Sequence, residues 1–147
     1  MYILDTNIVS RLDPRRYDTA RDLVAWIRRN GGLLFLSVVT LLEIETGILK
    51  LRRDGQERRA DEYDALRRTI ETDFGDRLLP IDAIGALAMA RLAEAIRPTV
   101  IDWKDLAIAA TAQVHGLIVL THNLRHFLPT GVPVHDPLDR LPPDGLP

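Results

Sequence analysis

Residues 102–121, DWKDLAIAATAQVHGLIVLT, contain a helix pattern and a strand pattern in immediate succession. Asp102 is an N-cap candidate, and an alanine-rich run follows it as far as His115. Gly116 is predicted to end this helix, because glycine adopts the left-handed conformation that closes many helices. The apolar run 117–121 is typical of a strand covered on both faces, and it is the best candidate for a central strand. A helix leading directly into such a strand predicts an α/β fold.

The same alternation of short apolar runs and longer amphipathic stretches extends along the rest of the chain. Further strands are predicted at 1–4, 33–36, 78–81 and 132–134. Pro80 and Pro133 place the last two at sheet edges, because proline cannot donate to a β-ladder. Further helices are predicted at 19–29, 38–53, 57–72 and 82–96, with Ser37 and Asp82 as N-caps and a left-handed glycine cap at Asn30-Gly31-Gly32.

The length of 147 residues fits one domain, and a composition of 46% hydrophobic and 27% charged residues is ordinary for a globular protein. We predict a single three-layer α/β/α domain with a central, mostly parallel sheet over residues 1–137, and an irregular tail over 138–147. The absence of cysteine excludes disulfides and thiolate metal sites. No apolar run is long enough to span a bilayer and no leader pattern precedes Asp5, so a cytoplasmic location without membrane contact is expected.

The positive charge is nearly all arginine, although the net charge is −2. Four arginine doublets stand out, at 28–29, 52–53, 58–59 and 67–68. Arginine suits bidentate contacts to phosphate, so the doublets are suited to tracking an RNA backbone. The alternative is that they are solvated helix faces.

Polar side chains follow the predicted strands where each strand ends. Asp5 ends the first strand, and Glu43 lies on the helix after the second. Asp105 opens the helix that leads into the strand 117–121, and Asn123 follows that strand. In open parallel sheets, ligands bind outside the carboxyl ends of the strands. We therefore expect these four side chains to converge at one edge of the sheet.

Each of these positions also has a structural explanation. Asp5 and Asn123 can each cap the turn after a strand, and Asp102 or Asp105 can cap the alanine-rich helix.

The glutamate on the second helix is ambiguous from pattern alone. Glu43 can complete a capping box with Thr40, and helical periodicity does not favour Glu43 over Glu45.

Three carboxylates and an amide, without cysteine, favour a hard cation such as Mg²⁺ or Mn²⁺. An acidic pocket repels a phosphodiester until a divalent cation binds, and the cation can then polarise the phosphoryl group. Thr6 and Thr121 are expected to hydrogen-bond to the ligands, since no base is positioned to activate them as nucleophiles. His122 and His126 have a zinc-like spacing, but no third ligand completes that motif.

Four segments, taken in order, resemble the motifs of the PIN-domain nucleases, and specifically the VapC- and FitB-like toxins of toxin–antitoxin pairs. They are ILDTNIVS at 3–10, LSVVTLLEI at 36–44 continuing to Gly47, DLAIAATA at 105–112 and LTHNLRHF at 120–127. The resemblance covers residues 2–137, and its register selects Glu43 rather than Glu45.

This resemblance implies a metal-dependent endoribonuclease that acts as a toxin. It implies that Asp5, Glu43 and Asp105 bind Mg²⁺ or Mn²⁺ and that Asn123 joins them in catalysis. It also implies an RNA substrate, a homodimer and inhibition by a cognate antitoxin. The alternatives are a PIN-like RNA-processing or binding module and a haloacid-dehalogenase-like phosphotransferase, although Asn7 stands where the latter needs a second aspartate.

The predicted helical hairpin at 38–72 carries more apolar residues than a one-sided helix needs, namely Leu41, Leu42, Ile48, Leu49 and Leu51. An uncovered apolar stripe usually marks a protein contact. We hypothesise that this stripe belongs to an antitoxin-binding groove or a homodimer interface.

Overall fold

The computed structural model describes residues 1–13 and 20–145. Five parallel strands form one sheet in the order β3-β2-β1-β4-β5, which confirms the predicted α/β fold. The pairing is parallel throughout rather than mostly parallel. The strands are β1 (Tyr2–Leu4), β2 (Leu34–Ser37), β3 (Leu78–Leu79), β4 (Ile118–Leu120) and β5 (Val134–His135).

Seven helices lie among the described residues and connect or flank these strands. They are α1 (Thr6–Val9), α2 (Arg21–Arg29), α3 (Val38–Arg53), α4 (Glu57–Phe74), α5 (Ala83–Ala95), α6 (Trp103–His115) and α7 (Leu124–Phe127). Within this part of the chain, no helix combines the length and the apolar character needed to cross a membrane.

The N-terminal strand lies at the centre of the sheet. Tyr2 is opposite Leu34 of β2 on one side and Ile118 of β4 on the other. The prediction of a central strand at 117–121 is therefore only partly correct, since β4 is an interior strand and β1 occupies the middle. The two proline-containing segments form the edge strands β3 and β5, as predicted.

Both faces of the sheet are covered, so the structure has three layers. Tyr2 and Leu4 belong to a core shared with α2, α3 and α4. Ile3 points to the opposite face and belongs to a core shared with α5 and α6. This alternation follows from the two-residue period of a strand.

Several predicted helix ends are confirmed by their caps. The Ser37 side chain accepts a hydrogen bond from Val39 N (3.2 Å), and Asp82 accepts one from Gly85 N (2.9 Å). Gly116 closes α6 with φ 63°, in the left-handed region.

The predicted left-handed glycine cap of α2 is wrong. Gly31 begins a 3₁₀ turn that continues to Leu33, and neither Gly31 nor Gly32 has a positive φ. Instead, the Asn30 side-chain amide donates to Trp26 O (3.0 Å), which satisfies a carbonyl of the last turn. The predicted start of this helix at Thr19 lies outside the described residues.

The apolar stripe on the α3–α4 hairpin is mostly core. Ile48 is 2% exposed, and Leu41 and Leu51 pack against the buried cluster. The prediction that Ile48 belongs to an uncovered stripe is therefore wrong, because α4 covers it. Only Leu42 and Leu49 are exposed, by 47% and 58%.

The C-terminal segment has no helix or strand after β5 as far as residue 145. Leu138 and Leu141 nevertheless pack against the core beside α2. The Asn30 amide donates to Asp144 Oδ1 (2.7 Å), and Gly145 N donates back to Asn30 Oδ1 (3.0 Å).

Candidate active site

A cleft of about 420 Å³ opens at the carboxyl ends of β1 and β4. All four predicted residues line it, together with several neighbours: Asp5, Thr6, Asn7, Ser10, Glu43, Asp102, Lys104, Asp105, Asn123 and His126. A second cavity, of about 380 Å³, lies between α2 and α4, and Asp73 is the one carboxylate in its lining. The acidic cluster therefore singles out the first cleft.

Asp5 continues β1 by one residue and is 4% exposed. Its backbone N–H donates to Leu120 O (3.0 Å), which fixes it beside the end of β4. Its Oδ2 accepts hydrogen bonds from Thr121 Oγ1 and from Asn7 Nδ2, each at 2.6 Å. Asp5 occupies the N-cap position of α1, but its carboxylate makes no side-chain capping hydrogen bond there, so capping alone does not explain an aspartate at this position.

The electrostatics of Asp5 reflect its surroundings. Burial raises the pKa of its carboxyl from 3.8 to about 6, the hydrogen bond from Thr121 works against that rise, and the charges of Asp105 and Glu43 add to it. Asp105 and Glu43 therefore act on the carboxyl group of Asp5 although they come from distant parts of the chain.

Glu43 lies one turn into α3 and points into the cleft. Its Oε2 accepts a hydrogen bond from Thr6 Oγ1, and its Oε1 is 3.1 Å from Lys104 Nζ. Since α3 begins at Val38, Glu43 does not form a capping box with Thr40.

Glu45 faces a different neighbour. It forms an ion pair with Arg67 of α4 at 3.3 Å, and its side chain is 49% exposed. Geometry thus separates the two glutamates that helical periodicity left equivalent.

The two aspartates at the start of α6 have different roles. Asp102 accepts a hydrogen bond from Lys104 N (2.9 Å) and caps the helix. Asp105 is free of that role, and its Oδ2 lies 2.7 Å from His126 Nδ1. The Asn123 side chain makes no capping bond to α7 and lies 2.9 Å from the same His126 nitrogen.

Lys104 and His126 are the site residues that sequence reasoning missed. Lys104 faces Glu43 across the cleft, and this contact raises the pKa of its ammonium group. Its position before Asp105 was a usable signal, because a residue in the first turn of α6 lies at the same edge of the sheet. His122, the other member of the zinc-like pair, lies instead 2.8 Å from Asp136.

The arginine doublets occupy none of the positions that line the cleft. Their side chains form ion pairs on the helical surface, for example Arg58 with Glu62 (3.3 Å), Arg52 with Asp61 (3.7 Å) and Arg29 with Asp144 (3.6 Å). These contacts favour the interpretation as solvated helix faces.

The donor set suits a hard divalent cation because the acidic side chains supply oxygen ligands only. Across residues 1–13 and 20–145, however, no three His, Asp or Glu side chains already form an ion-binding cluster. Lys104 and His126 each contact one of the carboxylates. An ion entering the cleft must therefore replace these contacts.

Comparison with known proteins gives a family match over most of the chain. The sequence profile described as PIN domain matches residues 2–128. A VapC ribonuclease, Y4jK, of Sinorhizobium fredii is 30% identical over 140 residues, which are 93% of this chain and 97% of the relative. The toxin FitB of Neisseria gonorrhoeae is 30% identical over 145 residues, which are 93% of this chain and 98% of that protein.

A solved structure extends the likeness to three dimensions. The crystal structure of FitAcB from Neisseria gonorrhoeae superposes with a TM-score of 0.77 at 30% identity. The alignment covers 93% of this chain and 98% of the solved one. The likeness therefore extends over nearly the whole chain and includes the strands and helices that surround the acidic cleft.

Proposed function

Because this chain belongs to the PIN-domain family, we propose that it is a divalent-metal-dependent ribonuclease that acts as the toxin of a toxin–antitoxin pair. The observation that carries the proposal is the meeting of Asp5, Glu43 and Asp105 in one cleft. The relatives named as a VapC ribonuclease and a toxin support the reaction and the biological role.

In this proposal Asp5, Glu43 and Asp105 hold Mg²⁺ or Mn²⁺, and Asn123 completes the polar wall of the cleft. When bound, such an ion would supply positive charge that polarises the scissile phosphoryl group and would favour ionisation of a water molecule for in-line attack. The chain's own residues set the geometry. Thr121 and Asn7 orient the Asp5 carboxylate.

Three further contacts fix the remaining two carboxylates in the absence of an ion. Thr6 holds one oxygen of Glu43 while Lys104 neutralises the other. His126 holds Asp105. If Glu43 were to bind the ion, the Lys104 ammonium group would lose this partner and could contact a phosphate oxygen of the RNA.

A cognate antitoxin and a second copy of this chain are the proposed protein partners. The solved structures that resemble this chain include toxin–antitoxin complexes, which supports the first of these. RNA as substrate makes the cytoplasm the proposed site of action.

The test is cleavage of a labelled single-stranded RNA by the purified protein. We expect cleavage with MgCl₂ or MnCl₂, none in EDTA, and none by the Asp105→Asn variant with either metal. Expression of the wild-type chain should arrest growth, and co-expression of the antitoxin should relieve the arrest. Cleavage that persists in EDTA, or a fully active Asp105→Asn protein, would contradict the proposal.

A further inference from the structure

A small pocket of about 100 Å³ lies beside the acidic cleft, between α1, α3 and α4. Its apolar wall consists of Val9, Ile44, Gly47, Tyr63 and Leu66. Its remaining residues, Thr6, Ser10 and Glu43, also line the acidic cleft. The pocket is thus a side chamber of the cleft rather than a separate cavity.

Gly47 forms part of the wall of this chamber. It lies inside α3, where glycine is less favourable than alanine. A Cβ built on it meets no atom within 4 Å, so the chain does not need glycine there for close packing. Because Gly47 lines the chamber, we expect a long side chain at this position to take up part of its free space.

The walls suit a flat apolar ring. Tyr63 supplies an aromatic ring, and Ile44, Val9 and Leu66 supply aliphatic surface. Single-stranded RNA is commonly recognised through unstacked bases that pack on such side chains. A cavity of about 150 Å³ accepts a benzene ring. The chamber, at about 100 Å³, is smaller than that but opens onto the cleft, so one six-membered ring fits with its polar edge outside at the mouth, whereas a bicyclic purine would extend further out of it.

We propose that this chamber binds one unstacked pyrimidine base of the RNA strand whose phosphate occupies the acidic cleft. The inference rests on the proposed ribonuclease function, since the shared residues place the base beside the reacting phosphate. Cleavage is then selective for a pyrimidine at one position next to the scissile bond. An apolar side chain of a protein partner is the competing occupant.

The experiment adds side-chain atoms at position 47 to fill the chamber. Gly47→Leu adds bulk inside it, and Gly47→Ala is a smaller change that also raises helix propensity. Thr46→Leu is the matched control, because it adds apolar bulk to the neighbouring, exposed position of the same helix. Circular dichroism establishes that each variant is folded.

Three oligoribonucleotides that differ at one position, carrying a pyrimidine, a purine or an abasic site, provide the substrates. For wild type we expect kcat/KM to be about 10-fold higher with the pyrimidine than with the abasic site, the size of a single stacking contact. Gly47→Leu should remove this difference, Gly47→Ala should reduce it, and Thr46→Leu should preserve it. A smaller difference in kcat/KM with Gly47→Ala cannot be ascribed to unfolding, because alanine favours the helix more than glycine does.

Measurements of RNA affinity test base binding in the chamber independently of catalysis. Fluorescence anisotropy of the same oligoribonucleotides with the Asp105→Asn protein measures affinity without turnover, and it should show the same 10-fold preference and its loss on adding Gly47→Leu. If no RNA is cleaved but the protein still binds the pyrimidine oligoribonucleotide more tightly than the abasic one, the proposed ribonuclease function is contradicted and base binding in the chamber is supported.

Equal affinity for the pyrimidine and abasic oligoribonucleotides would overturn the inference. So would a Gly47→Leu variant that keeps the preference, or one that loses only its affinity for the antitoxin. The last outcome would assign the chamber to a protein side chain.

Discussion

Asp5 carries the clearest electrostatic cost in the cleft. Its carboxylate is 4% exposed, and Thr121 and Asn7, which donate to it, are both neutral. A pKa near 6 in place of 3.8 means that ionisation at neutral pH opposes folding by about 3 kcal/mol. A cation bound beside Asp5 would offset this free-energy cost, so the buried carboxylate favours cation binding.

Asp5→Asn should therefore abolish metal-dependent cleavage yet stabilise the metal-free protein at neutral pH. The amide keeps a hydrogen-bond acceptor for Thr121 and removes the buried charge. The gain in unfolding free energy at pH 7.5 should be about 2–3 kcal/mol. Urea unfolding in EDTA measures it, and added Mg²⁺ should stabilise the wild type but not the variant.

The pH dependence of this gain has a defined sign. The pKa of Asp5 is higher in the folded protein (about 6) than its ordinary value (3.8), so the folded state holds this proton more tightly. Its contribution to stability is fully present below pH 3.8 and is lost as the pH rises through 6. The advantage of Asp5→Asn should grow over that interval and then level off. An advantage that is equal at pH 4 and pH 7.5 would argue against a raised pKa.

The two glutamates of α3 provide a matched pair. Glu43→Gln should lower metal-dependent cleavage at least 10- to 100-fold, because loss of a ligand should cost no less than loss of a ligand's supporting contact. Glu45→Gln should leave cleavage unchanged and alter the unfolding free energy by at most about 1 kcal/mol, since its ion pair with Arg67 is exposed. Steady-state kinetics and urea unfolding of both variants decide the point, and the reverse ranking would remove Glu43 from the site.

Asp5 and Asn123 were predictable because strand ends share one edge of a parallel sheet, and this rule uses only local sequence. His126 was not predictable from its spacing, which pairs it with His122. The two rings separate because His122 precedes α7 and meets Asp136, whereas His126 lies on α7 and meets Asp105. Such choices depend on how distant elements cross.

At the scale of elements, helix α3 of the α3–α4 hairpin has a buried and an exposed aliphatic residue at adjacent positions, Ile48 and Leu49. Ile48→Ala should lower the unfolding free energy by about 2–5 kcal/mol, because Ile48 is 2% exposed. Leu49→Ala should change it by less than about 0.5 kcal/mol, because Leu49 is 58% exposed. Thermal unfolding of the two variants tests this ranking.

The same hairpin allows a test of the partner surface. Leu49→Glu should leave the fold intact and weaken antitoxin binding or dimerisation if the exposed face of α3 is a contact. Calorimetric titration and analytical ultracentrifugation measure the two affinities. Unchanged values for both would mean that Leu49 is an ordinary surface residue.

Element boundaries were predictable where a side chain caps a helix, as at Ser37, Asp82 and Asp102. The end of α2 was not, because Asn30 satisfies the helix through a contact that also involves Asp144, more than a hundred residues away in sequence. The face of α3 was also misjudged, since its covering depends on how α4 folds back over it. Periodicity describes one helix at a time and carries no information on such packing.

At the scale of the whole molecule, we propose that residues 1–137 are the folding unit and that 138–147 stabilise it. A chain truncated after Pro137 should stay folded and cleave RNA. It should lose about 2–5 kcal/mol of unfolding free energy, because the contacts of Leu138 and Leu141 and the hydrogen bonds of Asn30 disappear. Circular dichroism during heating measures the loss, and a truncated chain that fails to fold would place the boundary further along the sequence.

The central position of β1 has a consequence for the timing of synthesis. Asp5 is synthesised 116 residues before Thr121, which orients it. At about 5–20 residues per second, this interval is on the order of 6–23 s. During this interval the growing chain carries Asp5 without β4 beside it, so the acidic cleft stays incomplete until β4 and the residues after it have been made. An inhibitor translated beforehand would meet each molecule at the moment it becomes competent.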